Sequence, residues 1–154
     1  KTFQVLLELL KLGVDLEKAL KSMTMPMSKP EKIARLKAAS RLELHKIGEW
    51  LLVFSHVSSY QASVARGLIG LGADVAVAAG ERMGEIKISL RSTSNFCEET
   101  GIHLGEDVAF ILGEKFSGMG GGHQTSAGVN GRGNLNQVIP ETLEILKGKI
   151  TRQK

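Results

Sequence analysis

Three consecutive glycines, Gly120, Gly121 and Gly122, stand directly before His123 within the run Gly118 to Gly128. Glycine lacks a Cβ, so it adopts positive φ and lets backbone N–H groups approach a ligand. Successive N–H groups in such a turn form a concavity that takes anions. His123 adds a side-chain donor at the rim. On these residues alone two readings stay open: a cradle for a phosphate or nucleotide edge, or a loop joining a helix to a strand. Arg91 is the second chemistry-bearing residue, at the end of the alternating run Ile86 to Leu90. A guanidinium there can grip a phosphate through two parallel hydrogen bonds, which Lys cannot reproduce. Ser92 can add its hydroxyl to the same oxygen set. The competing role for Arg91 is a surface ion pair.

The remaining candidates point to structural roles. Gln124 and Thr125, which follow the glycines, read as structural, with contact to a sugar or phosphate as the alternative, and Arg66 reads as part of a solvated helix face, with reach to nucleic acid as the alternative. His45, His56 and His103 have no carboxylate or cysteine at ligand spacing. The chain holds three aspartates, Asp15, Asp74 and Asp107, none beside a histidine, so neither a metal ligand nor a catalytic residue is assigned. Cys97 is the only cysteine, which excludes an internal disulfide and suits a reducing, cytoplasmic setting. With no base or cation beside it, Cys97 reads as an inert thiol.

The 154 residues suffice for one domain, or a domain with an appendage. A net charge of +4 and a pI near 9.3 mildly favour polyanionic partners. One Trp and one Tyr exclude a broad base-stacking platform within this chain. No apolar run approaches the roughly 20 residues of a membrane span, and the start lacks a secretory signal pattern. Beginning at Lys1, the chain is expected to be a piece of a longer one.

Residues 1 to 48 read as helices. Phe3, Leu6, Leu7, Leu9 and Leu10 form an apolar face that Gly13 ends. Asp15 caps a second helix, and Met23 to Met27 form an irregular link. Ser28 to Glu31 resembles a capping box for a long helix through Ile33, Leu36, Ala39, Leu42 and Leu44 to Gly48. Strands and helices then alternate. Trp50 to Phe54 suits a buried strand, Ser58 or Ser59 caps a helix through Ile69, and Asp74 to Ala79 is a second strand. After a hairpin loop at Glu81 to Gly84 comes a half-buried strand, Glu85 to Arg91. Ser92 to His103 reads as polar loop. A helix near Leu104 carries Val108, Phe110, Ile111 and Leu112, followed by the glycine run, a short strand at Ala127 to Asn130 and a final helix. Pro140 either kinks that helix or restarts it as a first-turn residue. This order predicts an α/β fold: a mixed β-sheet flanked by helices, after an all-helical N-terminal connector. The first two strands should be parallel, the second and third antiparallel.

The run Gly-Gly-Gly-His-x-x-x-Ala-Gly from Gly120 to Gly128 resembles the signature of the DHHA1 domain, the C-terminal half of DHH-family phosphoesterases. Those enzymes include RecJ-like exonucleases and phosphodiesterases of nano-RNA or cyclic dinucleotides. Ile86 to Ser92 resembles the family's strand ending in Arg-Ser, and Leu71 to Ala76 its second-strand entry. The resemblance covers roughly Glu49 to Leu146, and Thr125-Ser126 departs mildly from it. It implies that residues 49–154 form a DHHA1-like domain and 1–48 a connector from the end of a catalytic domain. It implies a substrate-binding role for His123, Gly120, Gly121, Gly122, Arg91 and Ser92. The expected partners are single-stranded nucleic acid or a short oligonucleotide and the chain's own DHH catalytic domain, with a homodimer possible and no membrane. The family's Asp-His-His and Asp-x-Asp motifs do not occur here. The Mn or Mg ions that activate water in such enzymes are therefore implied for a catalytic domain outside this chain. The alternative function is a protein-interaction or dimerisation module that docks through the N-terminal helices.

Overall fold

The computed structural model describes residues 2–23 and 26–151. Helices α1 (Thr2–Lys11) and α2 (Leu16–Met23) lead the chain. Gly13 turns between them at φ +79°, and the Asp15 carboxylate caps α2 by accepting from Lys18 N–H at 3.1 Å. Of the expected link Met23 to Met27, Thr24 and Met25 lie outside the described residues. Helix α3 (Lys29–Ser40) starts as the capping residues require: Ser28 Oγ accepts from Glu31 N–H at 3.3 Å, and Pro30 sits in the first turn.

Helix α3 is shorter than its sequence pattern suggests. Leu42 to Ile47 do not continue it; Glu43–Ile47 is strand β1, which corrects the long helix expected up to Gly48. Two periodicities compete in this stretch. Ala39, Leu42 and Leu44 fit a helix, whereas Leu44 and Lys46 alternate with His45 and Ile47 as a strand. Long-range pairing decides: Gly48 at φ +60° opens a two-residue turn that lays β1 on β2 (Trp50–His56), with Ile47 opposite Trp50. His45 then stands edge-on to Phe54, ring centroids 5.4 Å apart.

From β2 the chain crosses through α4 (Gln61–Gly70) to β3 (Val75–Arg82), parallel to β2 as expected. Ser58 and Ser59 do not cap α4. Its N-cap is Tyr60, at φ +61° and with no side-chain cap bond. A tight turn at Met83-Gly84 returns β3 into antiparallel β4 (Glu85–Ser92). The stretch expected as polar loop contains a helix, α5 (Ser94–Thr100). Its polarity masks the signal, but Thr93 caps it by accepting from Phe96 N–H at 3.1 Å, and Gly101 ends it at φ +61°. Phe96 and Cys97 supply its buried side.

A π-helical turn, Leu104–Ala109, runs into α6 (Phe110–Lys115). Phe110 is exposed, whereas Val108 and Leu112 enter the core. Strands β5 (Met119–His123) and β6 (Ser126–Arg132) follow, then a 3₁₀ turn, Leu135–Gln137, and α7 (Val138–Thr151), with Pro140 in its first turn.

The six strands form one mixed sheet in the order β1-β2-β3-β4-β6-β5. One face packs on α3 and α4 through Val53, Ala76, Ala78, Val64 and Leu68. The other carries the larger core, where Leu52, Phe54, Ile86, Ile88 and Leu90 meet Phe96, Leu104, Leu112 and Leu146. Burying each such side chain contributes about 1.5–3 kcal/mol. No helix among the described residues is long and apolar enough to cross a membrane.

Candidate functional site

The run Gly120 to Gly122 lies in a strand, which corrects the loop or turn expected there. Gly120, Gly121 and Gly122 lie in β5, paired with Val129, Gly128 and Ala127 of β6. Close packing explains why the segment is glycine. A Cβ at Gly120 would overlap the Ala109 carbonyl, and one at Gly113 would overlap the backbone of Gly120. The Gly122 carbonyl packs in the same way against Gly105. The helical layer therefore rests directly on the β5 backbone. Gly121 differs, since nothing lies within 4 Å of where its Cβ would stand.

Strand periodicity sorts the candidates onto two faces. On β4, Ile86, Ile88 and Leu90 enter the larger core, so Lys87, Ser89 and Arg91 point the other way. Residues opposite each other on antiparallel strands share a face. Arg91 is opposite Ser126, and Ser126 is opposite His123, so the three form one row across β4, β6 and β5. The next row is Ser89, Gly128 and Gly121; the one after is Lys87, Asn130 and Met119. Helix α4 packs over β3 and β4 on this face and α3 lies against β2, so the side towards β6 and β5 stays open. The β4–β6–β5 half forms the floor of a cleft of about 630 Å³, walled by Tyr60, Gln61 and Ser63 and floored by Ser89, Arg91, Gly121 and Gly128. His123 is exposed at the end of its row, beside the cleft.

Ser92 does not join Arg91. Strand alternation turns its side chain to the opposite face, where it is only 8% exposed and its Oγ lies 3.0 Å from Cys97 Sγ. This corrects the shared oxygen set expected for the two residues. Gly120 likewise faces the helical layer, while Gly122 borders the cleft through its backbone.

Gln124 and Thr125 form the two-residue turn that follows His123, and that turn is anchored from below. The Gln124 carbonyl accepts from Leu104 N–H at 3.0 Å and from the Cys97 thiol at 3.3 Å. The Thr125 carbonyl accepts from Ser92 N–H at 3.0 Å. Burial pushes the Cys97 thiol up; the bond to Ser92 opposes that, and the charge of Glu98 adds to it. The thiol is thus held neutral as a donor.

The electrostatics single out Arg91. Its Nε is buried without a hydrogen-bond partner among the described residues. Burial, and then the nearby positive charge of Arg66, lower its pKa. Neither arginine has a carboxylate within 4.0 Å among the described residues. Two neighbouring guanidinium groups without an acid between them make a field that an anion would relieve. Arg66 is exposed on α4, as the sequence suggests, and its charge adds to this field.

The donors for a divalent metal do not converge. Asp15 caps α2, Asp74 accepts from Leu51 N–H at 2.9 Å, and Asp107 accepts from Lys149 and from His103 N–H. No group of three or more His, Cys, Asp or Glu among the described residues could hold a metal ion. The residues present do not fit the two-metal centre of DHH enzymes.

No family model matches the chain. An uncharacterized protein of Methanocaldococcus jannaschii is 34% identical over 132 residues, which is 84% of this chain and 39% of that protein. An exopolyphosphatase-related protein from Bacteroides fragilis superposes with a TM-score of 0.62 at 17% identity, over 98% of this chain and 43% of its own. The C-Ala domain of Aquifex aeolicus alanyl-tRNA synthetase gives a TM-score of 0.53 at 16% identity, over 71% of this chain and 98% of its own. The DHH domain structure of a member of a ribosomal-protein family gives 0.55 at 10% identity, over 77% of this chain and 30% of its own. The chain thus spans about two fifths of the archaeal relative. With its N-terminal helices followed by a six-stranded mixed sheet, the chain has the fold that it shares with these structures, a DHH-domain structure among them.

Proposed function

We propose that this chain is the substrate-binding, C-terminal domain of a DHH-family phosphoesterase, either a RecJ-like single-strand exonuclease or a short-oligonucleotide phosphodiesterase. The open sheet face grips a phosphodiester through Arg91 and His123, beside the exposed backbone at Gly121. A metal-bearing catalytic domain outside this chain performs the hydrolysis. The observation that carries this reading is Arg91, which lies on the floor of a cleft with its Nε buried and without a hydrogen-bond partner among the described residues, and which feels the charge of a second arginine. The name of the Bacteroides neighbour suggests polyphosphate as another chain of phosphates such a grip could hold.

Fluorescence anisotropy with a labelled five-nucleotide single strand tests the proposal. Binding should weaken steeply with salt, because counterions are released. Arg91→Ala and His123→Ala should each weaken it, and the chain alone should not hydrolyse the strand with manganese. Unchanged binding in both variants would overturn the site.

A second reading has its own support. Val5, Leu7 and Leu12 on and after α1 are 56%, 53% and 80% exposed. Such a surface suits docking of a protein partner or a second copy. Apolar docking would be insensitive to salt, which separates it from phosphate binding.

A further inference from the structure

The cleft at Arg91 does not end at that row. It adjoins a second cleft of about 1000 Å³, and Tyr60, Gln61, Lys87 and Asn130 line both. The second cleft also carries Arg82 and Arg132, together with the carboxylates Glu81 and Glu85. Arg132 is paired with Glu85 at 3.8 Å, whereas Arg82 and Lys87 have no carboxylate within 4.0 Å among the described residues. From Arg91 to Lys87 along β4 is four residues, about 13 Å at strand rise. Arg91 on the floor of the first cleft and Lys87 where the two clefts meet are therefore too far apart for one phosphate.

Tyr60 sits where the two clefts meet. It is the chain's only tyrosine and is 40% exposed. Its backbone lies in the left-handed region at φ +61°, a position that a bulky residue occupies at a cost of about 1–3 kcal/mol. Its side chain makes no capping bond to α4. A ring held on the surface in this conformation, lining the cleft that holds Arg91 and Lys87, has the components of single-strand recognition: cations for the backbone and an aromatic face for a base. Inorganic polyphosphate would use the cations and leave the ring idle.

We infer that Tyr60 is a base-stacking residue that selects a single-stranded oligonucleotide, laid from Arg91 to Lys87, over a bare chain of phosphates. This rests on the phosphate grip proposed above and adds the groove's length and its ring. The test compares three ligands: a five-nucleotide strand, an abasic strand of equal length and tripolyphosphate. Tyr60→Gly removes the ring and suits the left-handed backbone, so folding is preserved; Tyr60→Phe keeps the ring. Tyr60→Gly should weaken the five-nucleotide strand about 5- to 100-fold, to the level of the abasic strand. It should leave the abasic strand and tripolyphosphate unchanged, and Tyr60→Phe should bind as the parent does. The inference is overturned if Tyr60→Gly weakens all three alike, or leaves the five-nucleotide strand untouched. Arg91→Ala separates the two levels. If it weakens all three ligands while Tyr60→Gly changes none, only the stacking role fails; if it changes none, the phosphate grip fails and the stacking role with it.

Discussion

Arg91 and His123 lie on different strands yet share one cross-sheet row, joined through Ser126 and without a direct pairing of their own strands. Two strand spacings of roughly 4.8 Å put their backbones about 10 Å apart on one face. A phosphodiester placed over Ser126 is within reach of both side chains.

Arg91 should matter for ligand and little for folding. Its Nε is buried without a hydrogen-bond partner among the described residues, and it feels the positive charge of Arg66. Arg91→Ala should lower affinity for a single-stranded oligonucleotide about 10- to 100-fold, the worth of a charge-assisted pair of bonds. Thermal unfolding should show a midpoint equal to or above that of the parent. A clear loss of stability would mean that Arg91 has a structural partner.

The glycines of β5 should divide sharply. At Gly120 a Cβ meets the Ala109 carbonyl, so Gly120→Ala should cost about 1–3 kcal/mol in urea unfolding. At Gly121 the space is open, and Gly121→Ala should change stability by less than about 0.5 kcal/mol. Because Gly121 is on the cleft floor, its substitution should instead weaken the ligand. Equal stability losses at both positions would contradict the two-faced assignment of β5.

Asp107 ties the π-helical turn to α7. Burial alone would raise its carboxyl pKa, but the bond from Lys149, the His103 N–H and the charges of Lys149 and His103 outweigh it and hold it below the usual value. A depressed carboxylate contributes stability above its unfolded pKa, near 3.9, and loses it as pH falls through the folded value. Asp107→Asn should therefore be less stable at pH 7 by on the order of 1 kcal/mol. The gap should narrow progressively below about pH 4. A gap independent of pH would show that the charge plays no part.

Cys97 reports on the turn that follows His123. Its thiol is buried, raised in pKa and bonded to the Gln124 carbonyl. Alkylation with iodoacetamide at about pH 8 should be slower than in the urea-unfolded chain by at least about tenfold, because the reactive thiolate is both rare and covered. Rapid labelling of the native protein would indicate that the turn opens freely.

Much of the fold was legible because hydrophobic period and breakers agreed. Ile86, Ile88 and Leu90 alternate as β4, and Gly70 to Gly72 end α4, so the parallel β2–β3 pair and antiparallel β4 follow. Three elements escaped for physical reasons. The period of β1 is ambiguous until β2 pairs with it. The residues of α5 are mostly polar, and only the Thr93 cap and Gly101 mark it. Glycines carry no strand preference, so β5 is visible only through what packs on it. The site was legible in part. Arg91 and His123 were identifiable as residue types after a strand and after a glycine run. That they share a row, that Ser92 points away, that Arg66 lends its charge to Arg91 and that Tyr60 lines the groove all depend on register and the crossover helix.

Amide NMR titration of the chain with a short single-stranded oligonucleotide tests the central claim most directly. The predicted shifts cluster at Arg91, Gly121, His123 and Ser126 on the open sheet face, with α1 and α2 unmoved. Shifts confined to α1 and α2, or none at saturating oligonucleotide, would contradict it.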